Sequence, residues 1–353
     1  MSDDKYIAFD VHQATTVVWV VNAAGRDVDT TILPTQPQPL IRYLESLHGR
    51  LHLTLEEGTY SAWLYDLLEG RVAELVVCDP RRNALLKEGN RTDHTDARKL
   101  ADLLRTGMLR AVYHGRRSLR NLQELAHAYQ ALVQDTTRVM NRIKAFYRSR
   151  GMACAGHGVY SPKQRSSWLE RLPTEASRLR AQLLHEQLEQ LRRLRRRARS
   201  ALLAESRKHT VAARLRAIPG FGPLRVALLI ASMQTPHRFR TRRKLWTYAG
   251  LGLVQEGSSE YGWVEGRAVR RPRAVQLRGL NRNHRPGLKE IFKSAALLAI
   301  RQPGPFKDYY QSRLQRGADP AILRVTVARK LAALTLSLWK KGGRYRAEGV
   351  KQA

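Results

Sequence analysis

Cysteine is almost missing from this chain, which has only Cys78 and Cys154 among its 353 residues. Two cysteines so far apart offer neither a disulfide framework nor the close spacing of a zinc site. Long apolar runs are missing as well, and none is long enough to span a bilayer. The first residues also lack the basic-then-apolar pattern of an export signal. These absences predict a reduced, cytoplasmic protein with no membrane partner.

Acidic residues are scarce relative to basic ones, with 30 Asp and Glu against 63 Lys and Arg and a formal net charge of +33. An enzyme that acts on small metabolites has no use for so large an excess. Binding nucleic-acid phosphates and releasing their counterions is the usual physical role of such a charge. The composition therefore predicts a nucleic-acid-binding protein.

Residues 1–115 have the pattern of an α/β domain. Three strand-like segments come first and strands then alternate with helices, which is the order of a ribonuclease-H-like sheet. The predicted strands are Tyr6–His12, Thr16–Val21, Val28–Leu33, Leu51–Glu56 and Glu74–Cys78. The predicted helices are Leu40–Leu47, Ala62–Leu68 and Asp93–Arg105. Other mixed α/β sheets share parts of this order.

Long helices are predicted for the middle of the chain, residues 116–210, where apolar residues recur at steps of three and four, as in a coiled-coil seam. The seam residues are Ala181, Leu184, Leu188, Leu191, Ala198 and Leu202. The arginines around them would repel one another without phosphate nearby. This segment is therefore predicted to oligomerise and to bind nucleic acid, a solvated helix face being the alternative. The predicted nucleic-acid contacts are Arg192, Arg193, Arg196 and Arg197.

Residues 211–353 are predicted to form a mainly α-helical domain that opens with a glycine-rich turn. In Ile218–Pro223 two glycines flank one aromatic residue, between two apolar helical segments. Amide groups at the start of the following helix would be free to bind a phosphate. This is the arrangement of a helix-hairpin-helix, and it predicts DNA contacts from Gly220, Gly222 and Arg225. A plain pair of antiparallel helices is the alternative.

Four acidic residues form a candidate metal site, and two of them lie on strands. Period-two alternation places Asp10 on the face opposite Phe9 in the first strand. In the fourth strand the leucines share one face, so the carboxylate on the other face is Glu56 and not its neighbour Glu57. Each of these acids could also be a chance residue at a strand end.

The other two acids begin a helix. Asp93 and Asp96 lie four residues before Ala97 and Leu100, so both extend the apolar stripe that should pack on the sheet. Like charges one turn apart in a partly desolvated place repel, and divalent cations such as Mg²⁺ remove that penalty. Two metal ions held in this way would activate an attacking group and stabilise a leaving oxygen. The alternative for Asp93 is an acid favoured by the helix dipole.

At these residues the sequence resembles the transposases of the insertion sequence 110 family, which are related to Piv-type DNA invertases. The N-terminal likeness rests on Phe9–His12, Leu55–Thr59 and Arg91–Arg98. The last segment has the family pattern of Thr-Asp, two free positions, then Asp-Ala. The resemblance implies a RuvC-like domain of ribonuclease-H type that binds Mg²⁺, with Mn²⁺ also possible. The implied ligands are Asp10, Glu56, Asp93 and Asp96. His12 and His94 are interpreted as surface residues, or as neighbours of these ligands.

The C-terminal part resembles the family's transposase domain through Ile218–Gly222, Arg238–Phe239 and Tyr248–Leu251. In the family a catalytic serine, usually followed by glycine, comes a short loop after the Ala-Gly-Leu. The spacing implies Ser258 as the nucleophile. Ser259 stands where the glycine is expected, and it is the alternative.

Beyond the serine loop, a basic stretch is predicted to hold nucleic-acid strands. The residues assigned to this role are Arg270, Arg271 and Arg278. Aromatic residues are few in the basic runs, so stacking on bases is not predicted.

The resemblance implies a recombinase that cuts and rejoins donor and target DNA through a serine-phosphate link. It also implies guidance by a structured RNA made from the element itself. The expected setting is a bacterial cell, with the protein associated with the nucleoid as a dimer or tetramer. Two alternatives remain: a RuvC-like Mg²⁺-dependent nuclease without a covalent intermediate, and a non-catalytic nucleic-acid scaffold.

Overall fold

The computed structural model describes residues 3–80, 93–114, 119–256, 260–264, 267–271 and 276–347. The chain divides into two compact units, Met1–His114 and Gly115–Ala353. A mixed α/β sheet domain comes first and a mostly helical region follows, which confirms the predicted fold class at this level. The further boundary predicted near residue 210 lies within the second unit, and the three-part division stays a prediction.

A five-stranded mixed sheet forms the centre of the first unit. Its strands are β1 (Asp4–Val11), β2 (Thr15–Asn22), β3 (Asp27–Pro34), β4 (Arg50–Glu56) and β5 (Glu74–Cys78). The spatial order is β3-β2-β1-β4-β5. Strands β1 to β3 are antiparallel neighbours, and β4 pairs in parallel with β1 and β5. Each predicted strand end lies within two residues of the observed one.

Helices cover both faces of this sheet. They are α1 (Pro37–Ser46), α2 (Ser61–Leu68) and α3 (Asp93–Arg105). Phe9 is buried with Leu40 of α1 and Leu64 of α2 on one face. Ala8, the preceding residue, is buried with Leu100 of α3 on the other face. Alternation along β1 therefore directs the next even-numbered side chain, that of Asp10, towards the face that α3 covers.

The second unit is built mainly from helices. They are α4 (Arg120–Arg148), α5 (Arg165–Glu170), α6 (Glu175–Arg207), α7 (Thr210–Arg216), α8 (Pro223–Met233), α9 (Arg242–Tyr248), α10 (Pro286–Ala299), α11 (Pro305–Gln315) and α12 (Pro320–Lys341). Its largest core joins α8, α10 and α12 through residues such as Ile230, Phe292 and Leu331. Among the described helices, none combines the length and the apolar character needed to cross a membrane.

Helices α4 and α6 pack along each other in antiparallel directions. Tyr147, near the end of α4, is buried with Ala181 and Leu188 of α6. Leu122, near the start of α4, shares a core with Leu202 of α6. Much of the predicted seam is thus covered by a helix of the same chain. A coiled coil between copies stays a prediction.

Four short strands lie between α9 and α10, within the part of the chain that is predicted to be mainly α-helical. They are β6 (Leu253–Glu256), β7 (Glu260–Val264), β8 (Arg267–Arg271) and β9 (Gln276–Leu280). β6 pairs with β9 and β7 pairs with β8, both antiparallel. Val264 and Val269 are about half exposed, at 50% and 46%. Among the side chains described in these strands none is fully buried, so the described residues give little of the alternation that predicts a strand.

Candidate active site

Asp10 and Glu56 lie at the same level on neighbouring parallel strands. In the pairing of β1 with β4, Phe9 is opposite Leu55, and the two acids come next on their strands. Because side chains alternate across a sheet, both carboxylates lie on the face that α3 covers. Both residues are half-buried. The sheet thus brings two of the predicted ligands to one edge.

Helix α3 brings the other two acids towards that edge. Its apolar stripe, which includes Ala97 and Leu100, is buried against the sheet. Asp93 is the first residue of the helix, and its side chain is 63% exposed. Asp96 is half-buried one turn further on. Packing of the stripe therefore places both aspartates in the first turn over the sheet, with Asp93 more exposed than the sequence pattern predicts.

His12 joins the acids. Its Nε2 atom lies 3.5 Å from Oδ2 of Asp10 and 3.5 Å from Oδ2 of Asp93. The potential ligand atoms of Asp10, His12 and Asp93 all lie within 4.8 Å of one another. Sequence reasoning interpreted His12 as a surface residue or a neighbour of the ligands. His12 lies two residues after Asp10, and in an extended chain two such side chains lie on the same face. This spacing could have predicted that His12 contacts the acids.

The acids of this region fit a divalent cation, although among the described residues the group with close ligand atoms contains Asp10, His12 and Asp93 and not Glu56 or Asp96. Oδ1 of Asp96 is buried and has no hydrogen-bond partner among the described residues. A buried carboxylate oxygen without a partner is costly, and a bound cation would offset that cost. The carboxylates of Asp10 and Asp93 also lie close enough to repel each other. Hard oxygen ligands of this kind suit Mg²⁺ or Mn²⁺.

The side chain of Glu57 bonds to His114. Its Oε2 atom lies 2.9 Å from Nε2 of His114, and the His114 ring stacks on Tyr65 at 4.7 Å. The hydrogen bond from His114 holds the pKa of Glu57 below its usual value. The backbone N–H of Glu57 donates to the carbonyl of Cys78. Glu57 therefore fixes the end of the sheet.

An ion pair holds α3 against the β2–β3 hairpin. Nε of Arg98 lies 2.9 Å from Oδ1 of Asp27, which also accepts a hydrogen bond from the Trp19 ring nitrogen. The hydrogen bonds from Trp19 and Arg98 lower the pKa of Asp27. Arg98 ends the segment that carries the most specific part of the family resemblance. By bonding to Asp27, Arg98 helps to hold in position the helix that contains Asp93 and Asp96.

The glycine-rich turn joins α7 to α8 and packs inward. Gly220 has φ of +82°, and a Cβ there would lie 2.2 Å from the backbone oxygen of Ala295 in α10. Phe221 is buried against Phe292, with the rings in edge contact. Gly222 caps α8 with φ of −74°, and a Cβ at this residue would meet no heavy atom within 4 Å among the described residues. A helix-hairpin-helix contact with DNA stays a prediction for this turn.

The two glycines should respond differently to alanine. We expect Gly220→Ala to lower the free energy of unfolding by about 3 kcal/mol, because both φ and the Ala295 carbonyl oppose a Cβ. Gly222→Ala should cost about 1 kcal/mol or less. Denaturant unfolding of both variants measures the difference. Equal losses would contradict the inward packing of Gly220.

Arginines of the predicted basic surface have two kinds of environment. Arg192 is half-buried, and its Nη1 atom donates to the backbone oxygen of Tyr160 at 3.0 Å. Arg193, Arg196 and Arg197 are exposed on α6. Outside α6, Arg225 donates through Nε to Oγ of Ser294 at 3.0 Å. Arg192 and Arg225 thus have packing roles besides any contact with nucleic acid.

Several predicted residues fall where the structure is not described. Ser258 and Ser259 lie outside the described residues. Three arginines lie in strands of which only the backbone is described: Arg270 and Arg271 in β8, and Arg278 in β9. Their assigned roles stay predictions.

The segment Tyr248–Leu251 ends helix α9 and leads into β6. Ala249 and Leu251 are buried in the core of the second unit. Gly250 has φ of +66°, and a Cβ there would lie 2.5 Å from the His284 ring. The small residues of this segment are therefore explained by packing. The ring of Tyr248 also packs against this core, but packing does not account for its hydroxyl, which lies beside Arg238.

Two family models match the chain. Residues 7–149 match a model described as a transposase, of the DEDD type of IS110. Residues 212–311 match the model of the transposase IS116/IS110/IS902 family. No curated protein is similar enough to match. The first match spans the four acids and the second spans the serine loop. A DEDD transposase domain implies use of a divalent metal.

Proposed function

The chain belongs to the IS110 family of transposases, and from this premise we propose that it works through a covalent serine–phosphate intermediate. As a transposase it cuts and rejoins DNA. The observation that most supports an active catalytic centre is the convergence of Asp10, His12 and Asp93 at one edge of the first unit's sheet. Glu56 and Asp96 lie on the elements that form this edge.

Each residue has a distinct part in the proposed reaction. Asp10, Glu56, Asp93 and Asp96 would hold Mg²⁺, and His12 offers a nitrogen beside them. A divalent cation bound there supplies charge neutralisation to the phosphate and its leaving oxygen. The serine oxygen attacks phosphorus and loses its proton, while the bond from phosphorus to the leaving sugar oxygen breaks. That oxygen takes up a proton and becomes a hydroxyl.

Rejoining reverses these changes. A hydroxyl of the receiving strand attacks the phosphoserine, a new phosphodiester forms, and the serine oxygen regains its proton. One phosphoester bond is formed for each one broken, so the exchange needs no nucleoside triphosphate as an energy source. Ser258 is the proposed nucleophile and Ser259 is the alternative.

The test is a denaturing gel. The protein is incubated with Mg²⁺, a structured RNA from the flanking element, and labelled DNA that carries the element's end. We expect a protein–DNA link that survives denaturation and disappears when the metal is chelated. Metal-dependent cutting without any such link would favour the RuvC-like nuclease. Binding without cutting would favour a scaffold.

We also propose that the exposed arginines of α6 bind a nucleic-acid backbone, with the structured RNA as one partner. Changing Arg193, Arg196 and Arg197 to glutamine should flatten the salt dependence of binding. The slope of log affinity against log salt should fall by about 0.9 for each duplex phosphate that the variant no longer neutralises. Affinity measured over a series of salt concentrations gives this slope.

Arg192→Gln provides the matched control on the same helix. Because Arg192 is half-buried and donates to the Tyr160 carbonyl, its loss should lower stability and change the slope much less than the triple change does. An unaltered slope in the triple variant would mean that these arginines only face solvent. Assembly into a dimer or tetramer is a further proposal, which light scattering with and without nucleic acid would measure.

A further inference from the structure

The hydroxyl of Tyr248 lies between two guanidinium groups. Nη2 of Arg238 lies 3.4 Å from this oxygen, and Arg285 is near enough to help lower the pKa of Tyr248. The Arg238 guanidinium also lies 5.0 Å from the centre of the Tyr248 ring. Tyr248 ends α9, Arg238 ends the 3₁₀ turn Pro236–Arg238, and Arg285 precedes α10. Three separate elements therefore converge on one oxygen atom.

Both arginines affect the ionisation of Tyr248. Burial of the phenol acts to raise the pKa of Tyr248, but the charges of Arg238 and Arg285 and their hydrogen bonds together lower it. The first turn of α10 adds the positive end of a helix of 14 residues. Guanidinium groups of half-buried arginines are among the groups that bind phosphate in proteins.

Backbone contacts fix the arginines and the tyrosine in position. Nη1 of Arg238 donates to the backbone oxygen of Met233 at 3.3 Å. The N–H of Arg285 donates to the carbonyl of Tyr248 at 3.0 Å. Such anchoring lowers the entropy lost when a ligand binds. The arrangement is therefore prepared for a ligand before the ligand arrives.

The same region anchors the strands that carry the serine loop. Nδ2 of Asn281 donates to the Thr247 carbonyl at 3.1 Å, and the N–H of Asn281 donates to the Gly252 carbonyl at 2.9 Å. Strand β6 starts at the next residue, Leu253, and leads to the loop that contains Ser258. Tyr248, which both arginines neighbour, is therefore separated by four residues from the start of the β-strand that precedes the proposed nucleophile.

We propose that Arg238, Tyr248 and Arg285 bind one backbone phosphate of the DNA strand that is cut. Guanidinium groups match the geometry of phosphate oxygens, and the phenol offers a third donor. Tyr248 would thus contact the phosphate directly, besides contacting Arg238. This assignment rests on the proposed function for the identity of the strand, but the binding itself requires neither metal nor serine.

The first experiment follows the ionisation of Tyr248 in the full-length protein without metal. Tyrosinate absorbance is recorded against pH, and the curve of Tyr248→Phe is subtracted because the chain has 13 tyrosines. A phosphate between the guanidiniums would favour the neutral phenol, so saturating short DNA should move the midpoint up by roughly 1 on the pH scale. An unmoved midpoint would overturn the proposal. Movement with an RNA strand of the same sequence but not with DNA would also overturn it.

The second experiment compares two arginines of one loop. Arg285→Gln should weaken binding of the same DNA about tenfold, as expected for loss of a charge-assisted hydrogen bond. Arg282→Gln removes the same charge from an exposed position and should have a smaller effect. Equal losses would count against the site. If the serine adduct never forms but the Tyr248 midpoint moves, the proposed function fails and this site stands.

Discussion

Replacing Glu56 with glutamine should reduce metal-dependent DNA cleavage by about a thousandfold, while the same change at Glu57 should leave cleavage nearly intact. The two residues are neighbours in sequence and identical in type, yet the pleat of β4 directs them differently. Glu56 lies level with Asp10 at the edge where the acids converge. Glu57 bonds to His114. Initial rates of cleavage at saturating Mg²⁺, measured on labelled DNA, give the comparison.

Glutamine keeps the size of the side chain and removes only the charge, so folding is preserved in both variants. Thermal unfolding checks this, and Glu57→Gln should show the larger loss of stability because its hydrogen bond to His114 is weakened. Asp10→Asn should behave like Glu56→Gln. If Glu57→Gln were the inactive variant, the assignment of the ligand to the face covered by α3 would be wrong.

Replacing Ser258 with alanine should abolish the denaturation-resistant protein–DNA link, with at least roughly a thousandfold loss of adduct. An alanine has no oxygen to form the bond to phosphorus. Strand rejoining should be lost to the same extent, because it passes through the link. Binding of DNA should stay within about twofold, since a loop hydroxyl contributes little to affinity for a phosphate backbone. Densitometry of adduct bands and filter binding measure the two effects.

Ser259→Ala is the control for this experiment. If Ser258 is the nucleophile, Ser259→Ala keeps the adduct. The reverse pattern would move the nucleophile by one position, and an adduct in both variants would exclude a unique serine. Cleavage that persists in the double variant without any adduct would point to the metal centre as a nuclease on its own.

The N-terminal sheet could be predicted because its signals are local. Alternation of apolar and polar residues along β1 and β4 predicts which face of the sheet each side chain lies on. It predicts Glu56, and not Glu57, as the metal ligand without any use of coordinates. The stripe from Ala97 to Leu100 likewise records how α3 packs. In each case one short stretch of sequence carries the whole pattern, and burial of one face makes any other register costly.

The strands between α9 and α10 could not be predicted in the same way. Leu253, Val264 and Val269, whose side chains are described in these strands, are each about half exposed, so these residues give no local signal of a buried face. β6 pairs with β9, and its residue Leu253 lies opposite Leu280. Which strand pairs with which depends on packing in the complete fold, and the local pattern of β6 or β9 does not specify it.

What the sequence by itself determined was the fold class, the faces of the first sheet and the polyanion-binding charge. What only the tertiary structure decided were the partners of individual side chains: His12 with Asp10 and Asp93, Gly220 against the Ala295 carbonyl, and Tyr248 between two arginines. The physical reason is that periodicity reports the burial of an element as a whole. A contact between two elements depends on how those elements are placed relative to each other in the fold. Packing of the complete core sets that placement.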